Sequence, residues 1–415
     1  MREMKDSGIE WIGEIPKDWE IIKGKYVLEY LQKPVKDDDG VITCFRDGEV
    51  TLRSNRREDG FTLSDKEIGY QGIDVGDLVV HGMDGFAGAI GISDSRGKAS
   101  PVLNVLNSKY NKRYLMYYLR SMAFSNVFVA LASGIRVRSC DLRWNKLAEL
   151  PYPTTSYDEQ TEIVSYLDTQ CSEIDATVED IQKEITLLED YKKSVITEAV
   201  TKGLNPDAEM KDSKIFYLGK INKTWNLTKV GYCCKKLYRP FEPSDEALVC
   251  SNKGKVVPRG DTLIGLMTSD DNAMQGICKG DIAIHGMDTW HGAIACSDYD
   301  GKITRVVHVC KADGDNRFVV YWLQHLAFVG VYKLISNGVR GNTSDFRSWD
   351  KVADIYVPNP IKEEQQQIAD FLDTKCSEID SLIADKKRQL DILADYKKSL
   401  IYEYVTGKKE VPVNE

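Results

Sequence analysis

Three groups of side chains in this 415-residue chain are of types that chemistry uses. The first is cationic. Phe45-Arg46-Asp-Gly-Glu-Val-Thr-Leu-Arg53-Ser-Asn55-Arg56-Arg57 reads as a hairpin turning at Asp47-Gly48. Arginine can donate two hydrogen bonds to guanine O6 and N7, and asparagine can pair with adenine N6 and N7, each good pair giving about 1–3 kcal/mol of discrimination. Arg46, Arg53, Asn55, Arg56 and Arg57 are therefore candidate base contacts, with phosphate or solvent as the alternative for any one of them. The second group is Cys278, His285, His291, Cys296, His308 and Cys310, the donor types of a zinc site, but their spacing matches no familiar ligand pattern. The third, Pro206-Asp-Ala-Glu209-Met-Lys211, sets carboxylates beside a lysine as nucleases do, yet the carboxylates stand too close in sequence. No GxxxxGK[ST] phosphate cradle, no Asn-Pro-Pro-aromatic run and no glycine-rich turn suited to S-adenosylmethionine occurs. The expectation is a chain with no catalytic residue and no metal.

These residues sit in a sequence written twice, and a repeat governs the reading of everything else. Met4-Lys-Asp-Ser7 returns as Met210-Lys-Asp-Ser213 and Trp19 as Trp225, at an offset of 206. His81-Gly-Met-Asp84 and Gly88-Ala-Ile90 return as His285-Gly-Met-Asp288 and Gly292-Ala-Ile294, at an offset of 204. Cys171-Ser-Glu-Ile-Asp175 and Asp190-Tyr-Lys-Lys-Ser194 return as Cys376-Ser-Glu-Ile-Asp380 and Asp395-Tyr-Lys-Lys-Ser399. The repeat also bears on the zinc reading: Cys278, His291 and Cys296 correspond to Asp74, Ala87 and Ile92, so ordinary core residues are the better account of them. In the second half the hairpin becomes Cys250-Ser-Asn252-Lys253-Gly-Lys255-Val-Val-Pro-Arg259, which keeps a turn and changes the side chains. Residues shared by the halves fit a common fold, and residues that differ could read different sequences. On that logic the shared His81 and His285 are structural or contact the DNA backbone. A second basic feature is Arg136, Arg138 and Arg143, matched by Arg340, Asn342 and Arg347; phosphate clamping and local Arg-Asp pairing both remain open there.

Two elements must position these groups. Residues 158–201 and 363–406 lack glycine and proline, and Ile174, Val178, Ile181, Ile185, Leu188, Tyr191 and Val195 follow a near-heptad spacing. Ile379, Ile383, Leu390, Leu393, Tyr396 and Leu400 repeat it, with Lys386 at the place of Ile181. This predicts two long helices pairing antiparallel, with Ile174, Val178, Ile185 and Leu188 against Ile379, Ile383, Leu390 and Leu393. Each globular region reads as mixed α and β: Asp77-Leu-Val-Val-His81 and Asp281-Ile-Ala-Ile-His285 are strand candidates, and a helix over 112–131 stops near Gly134, its copy around Tyr321–Leu334 near Gly338. The expected fold is mixed α/β: two homologous domains separated by a pair of long antiparallel helices, a coiled coil, with a pseudo-twofold internal repeat. The boundaries are 1–157, 158–204, 205–362 and 363–415.

Composition agrees with a nucleic-acid partner only after its distribution is considered. Net charge is −9, but residues 158–190 and 363–395 carry −10 and −5, leaving the remainder at +6. With 42% hydrophobic and 29% charged residues, no long apolar run and no signal-like start, the chain reads as cytoplasmic, without a membrane partner. Ten scattered cysteines with no CxxC pair fit buried thiols in a reducing compartment.

Gly134-Ile-Arg136 leading through Leu142, Leu147 and Leu150 to Pro151-Tyr-Pro153, then Glu159-Gln160, Ile163 and Leu167-Asp168, resembles the junction of a target-recognition domain with a helix in Type I restriction-modification specificity subunits. Gly338 to Pro358-Asn-Pro360, Glu364-Gln365, Ile368 and Leu372-Asp373 repeats it, and Ser7-Gly-Ile-Glu-Trp-Ile-Gly-Glu-Ile-Pro16 is similar to the start of such halves. Tyr217-Leu-Gly-Lys-Ile-Asn222 departs from it by losing the Trp and the Pro. The resemblance implies two target-recognition domains reading the halves of an asymmetric bipartite site in double-stranded DNA, with helices that set the gap and dock two methyltransferase (modification) subunits. It also implies restriction subunits in the full complex, with S-adenosylmethionine, ATP and Mg on the partner subunits and no cofactor in this chain. An adaptor binding protein partners, or a stand-alone methyltransferase, are the other readings.

Overall fold

The computed structural model describes residues 2–56, 68–131, 142–260, 271–336 and 346–412. The chain divides into two compact units, Met1–Ile181 with Arg388–Glu415, and Gln182–Lys387. Among the described residues no helix is long and apolar enough to cross a membrane.

In the first unit a four-stranded antiparallel sheet has the order Glu29–Leu31, Leu103–Asn107, Leu78–His81, Ile90–Ile92. Its strands are apolar at successive positions because both faces are covered. Leu78, Val80, Ile90 and Leu106 face a core built with Tyr114, Leu115, Tyr118 and Met122 of the helix Lys112–Phe124. Val79, Leu103 and Val105 face the opposite way, into a core shared with Ile42, Cys44 and Val50 of a hairpin. Period-two alternation thus assigns one face to the helix and the other to the hairpin. Ile163, Val164, Leu167 and Ile174 of the first long helix and Leu400, Ile401, Tyr404 and Val405 of the second complete the helix-side core. The buried Tyr114 hydroxyl donates to the Val405 carbonyl at 2.9 Å.

The second unit has the sheet order Cys234–Lys236, Val307–Ala312, Ile282–His285, Ile294–Cys296. A further sheet orders Lys255–Pro258, Ala247–Ser251, Gly301–Thr304, Met274–Ile277. Ile282, Ile284 and Ile294 pack with Phe318, Trp322 and Leu326 of the helix Asn316–Phe328, while Ala283, Val307 and Val309 pack with Leu248, Cys250 and Val256. Ile196, Ala199 and Val200 join Ile368, Ala369 and Leu372 in the helix-side core.

The long helices run Tyr157–Lys202 and Lys362–Val405. The Ser156 hydroxyl accepts from Glu159 N–H at 3.3 Å, and Asp158 and Glu159 place negative charge on the first turn. Gly203 and Gly407, both with positive φ, stop the helices where the chain must turn back. In the first unit Lys397 Nζ meets Asp175 at 2.5 Å, and in the second Lys192 Nζ meets Asp380 at 2.7 Å. Both residues of the second pair are the sequence counterparts of the first, with donor and acceptor helices exchanged. Each partly exposed pair adds less than about 1 kcal/mol but fixes register. Lys386 forms an ion pair with Glu184 at 2.5 Å, giving the polar seam position a defined partner.

Two expectations need correction. The helices expected over 112–131 and Tyr321–Leu334 each break: the first at Asn126, left-handed at φ 57°, before Val127–Ala130, and the second at Gly330, φ 75°, before Val331–Ile335. A single left-handed residue redirects the chain without spoiling the apolar pattern, so periodicity alone conceals it. The seam also does not include Tyr191 and Tyr396, which are 57% and 49% exposed. Ile174, Ile181, Ile185, Ile379 and Ile383 are buried, while Val178, Leu188, Leu390 and Leu393 are half-buried. Heptad spacing locates a stripe but not its inner edge.

The second unit contains an acid-sensitive element. His325 is buried beside Trp322, with Nδ1 3.0 Å from the Thr197 hydroxyl, and burial pushes its pKa down from 6.5 to about 4. The unfolded chain therefore takes the proton first. This part of the stability is intact above pH 6.5 and falls as pH drops toward 4, by about 3 kcal/mol. Urea unfolding followed against pH should show that slope in the wild type and a flatter one in His325→Gln.

Candidate nucleic-acid interface

The basic hairpin of the first unit pairs Ile42–Cys44 with Val50–Leu52 and turns through Phe45–Glu49. Gly48 takes φ +94° at the turn, and its backbone lies directly over the Arg120 guanidinium. The turn rests on the segment after the shared histidine: a Cβ on Gly88 would meet Arg46 O at 2.6 Å, and one on Gly91 would meet Gly48 O at 1.9 Å. Arg46 pairs with Asp84 at 2.9 Å, so the hairpin and the His81-Gly-Met-Asp84 loop share an ion pair. Leu142 N–H donates to Gly82 O, and the Asn104 amide donates to Leu142 O, which brings the exposed Arg143 beside the same loop. Segments around residues 46, 84 and 143 thus converge at one edge of the unit.

Electrostatics within this edge are self-balanced. Arg56 lies over the Phe45 ring at 4.3 Å and bridges Asp47 at 2.5 Å and Glu49 at 3.1 Å. Arg53 Nε donates to Thr43 Oγ1 and Asn55 to Thr51 Oγ1. These contacts hold planar donors in fixed orientations before any ligand arrives, which lowers the entropy cost of recognition. His81 Nδ1 accepts the N–H groups of Met83 and Asp84 at 3.2 and 2.9 Å. An acceptor Nδ1 is a neutral imidazole protonated on Nε2, consistent with burial pulling its pKa below 6.5.

The second unit assembles the corresponding parts with other side chains. Asn252, Lys253 and Lys255 surround the turn at Gly254, are exposed, and have no carboxylate partner among the described residues; Arg259 follows, half-buried. His285 Nδ1 accepts from Met287 and Asp288 N–H. The short approach of that same nitrogen to the Asp288 carboxylate, 3.3 Å, is not a charged pair, because an acceptor nitrogen carries no proton and burial lowers this pKa also. Phe346 N–H donates to Gly286 O, His308 Nε2 lies 2.8 Å from Phe346 O, and Arg347 reaches Met287 Sδ. Asn104 and His308 therefore do the same task, each tying the segment that starts at Leu142 or Phe346 to the sheet.

Arg57, Arg136, Arg138, Arg340 and Asn342 lie outside the described residues. Among the described residues no group of three or more His, Cys, Asp or Glu side chains could hold a metal ion. The sequence departure at Asn222 has a structural role: its amide donates to Lys202 O at 2.6 Å, capping the first long helix. Pro16 in the first unit instead packs against Gly407, and Tyr402 and Lys408 donate to carbonyls of Trp11, Ile12 and Glu14.

Two features escaped the sequence reading. Leu187 and Tyr191 in one unit, and their counterparts Ile392 and Tyr396 in the other, stand one helical turn apart and are 69%, 57%, 61% and 49% exposed. In the second unit, Lys236, Tyr238, Phe241 and Arg305 line a cleft of about 600 Å³. The alternation of base and aromatic in Lys235-Lys-Leu-Tyr-Arg-Pro-Phe241 is the signal that could have found it.

No protein-family model matches the chain. It is similar to the type I restriction enzyme MjaX specificity subunit of Methanocaldococcus jannaschii, 25% identical over 436 residues and covering 96% of each chain. Among solved structures it is similar to a chain from work on the complex assembly and conformational transition of the type I R-M system, with a TM-score of 0.69, 13% identity, and coverage of 95% and 99%. It is also similar to the HsdS subunit from Thermoanaerobacter tengcongensis, with a TM-score of 0.50, 15% identity, and coverage of 95% and 98%. The fold is that of type I specificity subunits. The resemblance read from the two junction motifs is borne out along nearly the whole chain.

Proposed function

We propose that this chain is the DNA sequence-specificity subunit of a Type I restriction-modification complex and has no catalytic role of its own. The observation that carries the reading is the convergence of three segments far apart in sequence: in the first unit the basic hairpin, the histidine loop and Arg143, and in the second the Gly254 turn, where an added Cβ would stand 3.5 Å from Gly292 O, the histidine loop and Arg347. Two edges of similar backbone and different side chains suit the two unlike halves of a bipartite site in double-stranded DNA. On this reading domains 1–157 and 205–362 recognise, and helices 158–204 and 363–415, paired as a coiled coil, set the unread gap and dock two methyltransferase subunits. Those partners bring S-adenosylmethionine and flip the target adenine from the duplex; restriction subunits bring ATP and Mg.

Removing two helical turns from 174–188 together with the paired turns from 379–393 tests the spacer role. Footprinting of the assembled complex should show both protected tracts, with fewer base pairs between them. An unchanged gap would refute it, and protection of no tract by the wild-type complex would favour a protein-binding adaptor.

A further inference from the structure

The cleft in the second unit is walled by Lys236, Tyr238, Phe241, Met274, Arg305 and His308. Its floor is the end of the sheet strand Cys234–Lys236 and the turn entering Val307–Ala312. It adjoins the edge described above, because Gly286 N–H donates to Val306 O and His308 contacts Phe346 O. Lys236 Nζ sits 5.1 Å from the Tyr238 ring and 5.9 Å from the Trp349 ring, and no carboxylate pairs with it among the described residues. Arg305 is exposed and spends Nε on Met274 O at 2.9 Å. Tyr238 is 81% exposed, leaving most of its ring open to solvent.

Among the described residues, the first unit does not repeat the side chains of this cleft. Lys33 and Arg239 occupy the same place, each bridging to the glycine of a neighbouring strand, Gly72 or Gly276, and each ion-paired to Asp77 or Asp281. Counting outward from that match and along the paired strands, the counterparts of Lys236, Tyr238, Phe241, Met274 and Arg305 are Tyr30, Gln32, Val35, Tyr70 and Pro101. Tyr30 stacks on Trp144 at 5.7 Å where Lys236 lies over Trp349. Lys236 and Arg305 are thus specific to the second half, while the third cation lining the cleft, Arg239, is ion-paired to Asp281 and has Lys33 as its counterpart.

We propose that this cleft seats the sugar-phosphate of a DNA strand flanking the half-site read by the second unit, and that the first unit has no equivalent contact. Lys236 and Arg305 hold phosphate, and the exposed Tyr238 ring, with the half-buried Phe241 beside it, lies against the sugar or base edge. Two cations beside aromatic rings suit an anionic, partly apolar strand. The inference rests on the DNA-specificity reading and makes the complex grip DNA unequally at its two ends.

The test uses the full chain assembled with its methyltransferase subunits and a fluorescein-labelled duplex carrying the bipartite site found by methylation mapping. Each phosphate neutralised contributes about 0.9 to the slope of log affinity against log salt. Lys236→Met with Arg305→Gln should lower that slope by about 2 and weaken binding about 10- to 100-fold at moderate salt, with the methylated motif unchanged. Tyr238→Ala should weaken binding while Tyr238→Phe retains it. Single methylphosphonate replacements on the wild-type complex make the test independent of variant folding: neutralising a phosphate flanking the second half-site should reduce affinity several-fold, and the mirrored position beside the first should not. Equal effects at both ends, or an unchanged slope in the double variant, overturn the cleft proposal while a bipartite motif persists. Absence of any bipartite motif for the wild-type complex overturns the function reading itself.

Discussion

Chains carrying Leu187→Asp, Tyr191→Asp, Ile392→Asp and Tyr396→Asp should fold normally but fail to assemble with the proposed methyltransferase subunits. Single exposed apolar residues are ordinary on any surface. A pair spaced by one helical turn, and present at counterpart positions of both long helices, is a different matter. All four are exposed, so aspartate costs the isolated chain little, and its helical circular dichroism should match the wild type. At an interface the same change buries a carboxylate, and two such positions per site should weaken docking by a factor of 100 or more. Light scattering of the reconstituted mixture should show the complex for the wild type and separate components for the variant. If the halves dock one partner each, restoring only Leu187 and Tyr191 should recover a single partner.

Gly91→Ala should remove recognition by the first unit and leave the second untouched. The added methyl would stand 1.9 Å from Gly48 O and 2.9 Å from Val50, and the first obstacle is backbone that cannot rotate away. Hairpin displacement and core strain together should cost about 3 kcal/mol. Arg46 would then lose its placement relative to Asp84, and Arg56, held by Asp47 within the turn, would be displaced with the hairpin. The counterpart, Ala295, already carries a Cβ and is buried, and a Cβ on Gly292 would meet nothing nearer than Phe328 at 4.0 Å where one on Gly88 meets Arg46 O at 2.6 Å, so the second hairpin leaves room that the first does not. Methylation mapping with Gly91→Ala should show the first half of the motif lost or degenerate, and Ala295→Gly should leave both halves intact.

The long helices were legible because forty residues without glycine or proline, closed by Gly203 and Gly407, leave few alternatives. The strands ending at His81 and His285 were legible from short apolar runs after a Gly-Asp turn. Asn126 was not, because a left-handed residue keeps the apolar stripe on either side. Tyr191 and Tyr396 misled for a related reason: an aromatic ring fits a heptad equally well whether it points to a helix partner or to solvent. The convergence of the hairpin on the histidine loop could not be read from sequence, since it depends on Gly88 and Gly91 admitting backbone at contact distance. Likewise the ion pairs that immobilise Arg46 and Arg56 involve Asp84, 38 residues from Arg46 in sequence, and Asp47 and Glu49, whose acidic character in a basic stretch looks like simple charge mixing.

The central claim, that two unlike edges on one chain each read their own stretch of DNA, is tested most directly by mapping methylated adenines across the genome in cells with and without this chain. The account predicts one interrupted motif, two short unequal tracts about a fixed gap, present only when the chain is present. A continuous motif, or methylation indifferent to the chain, would contradict it.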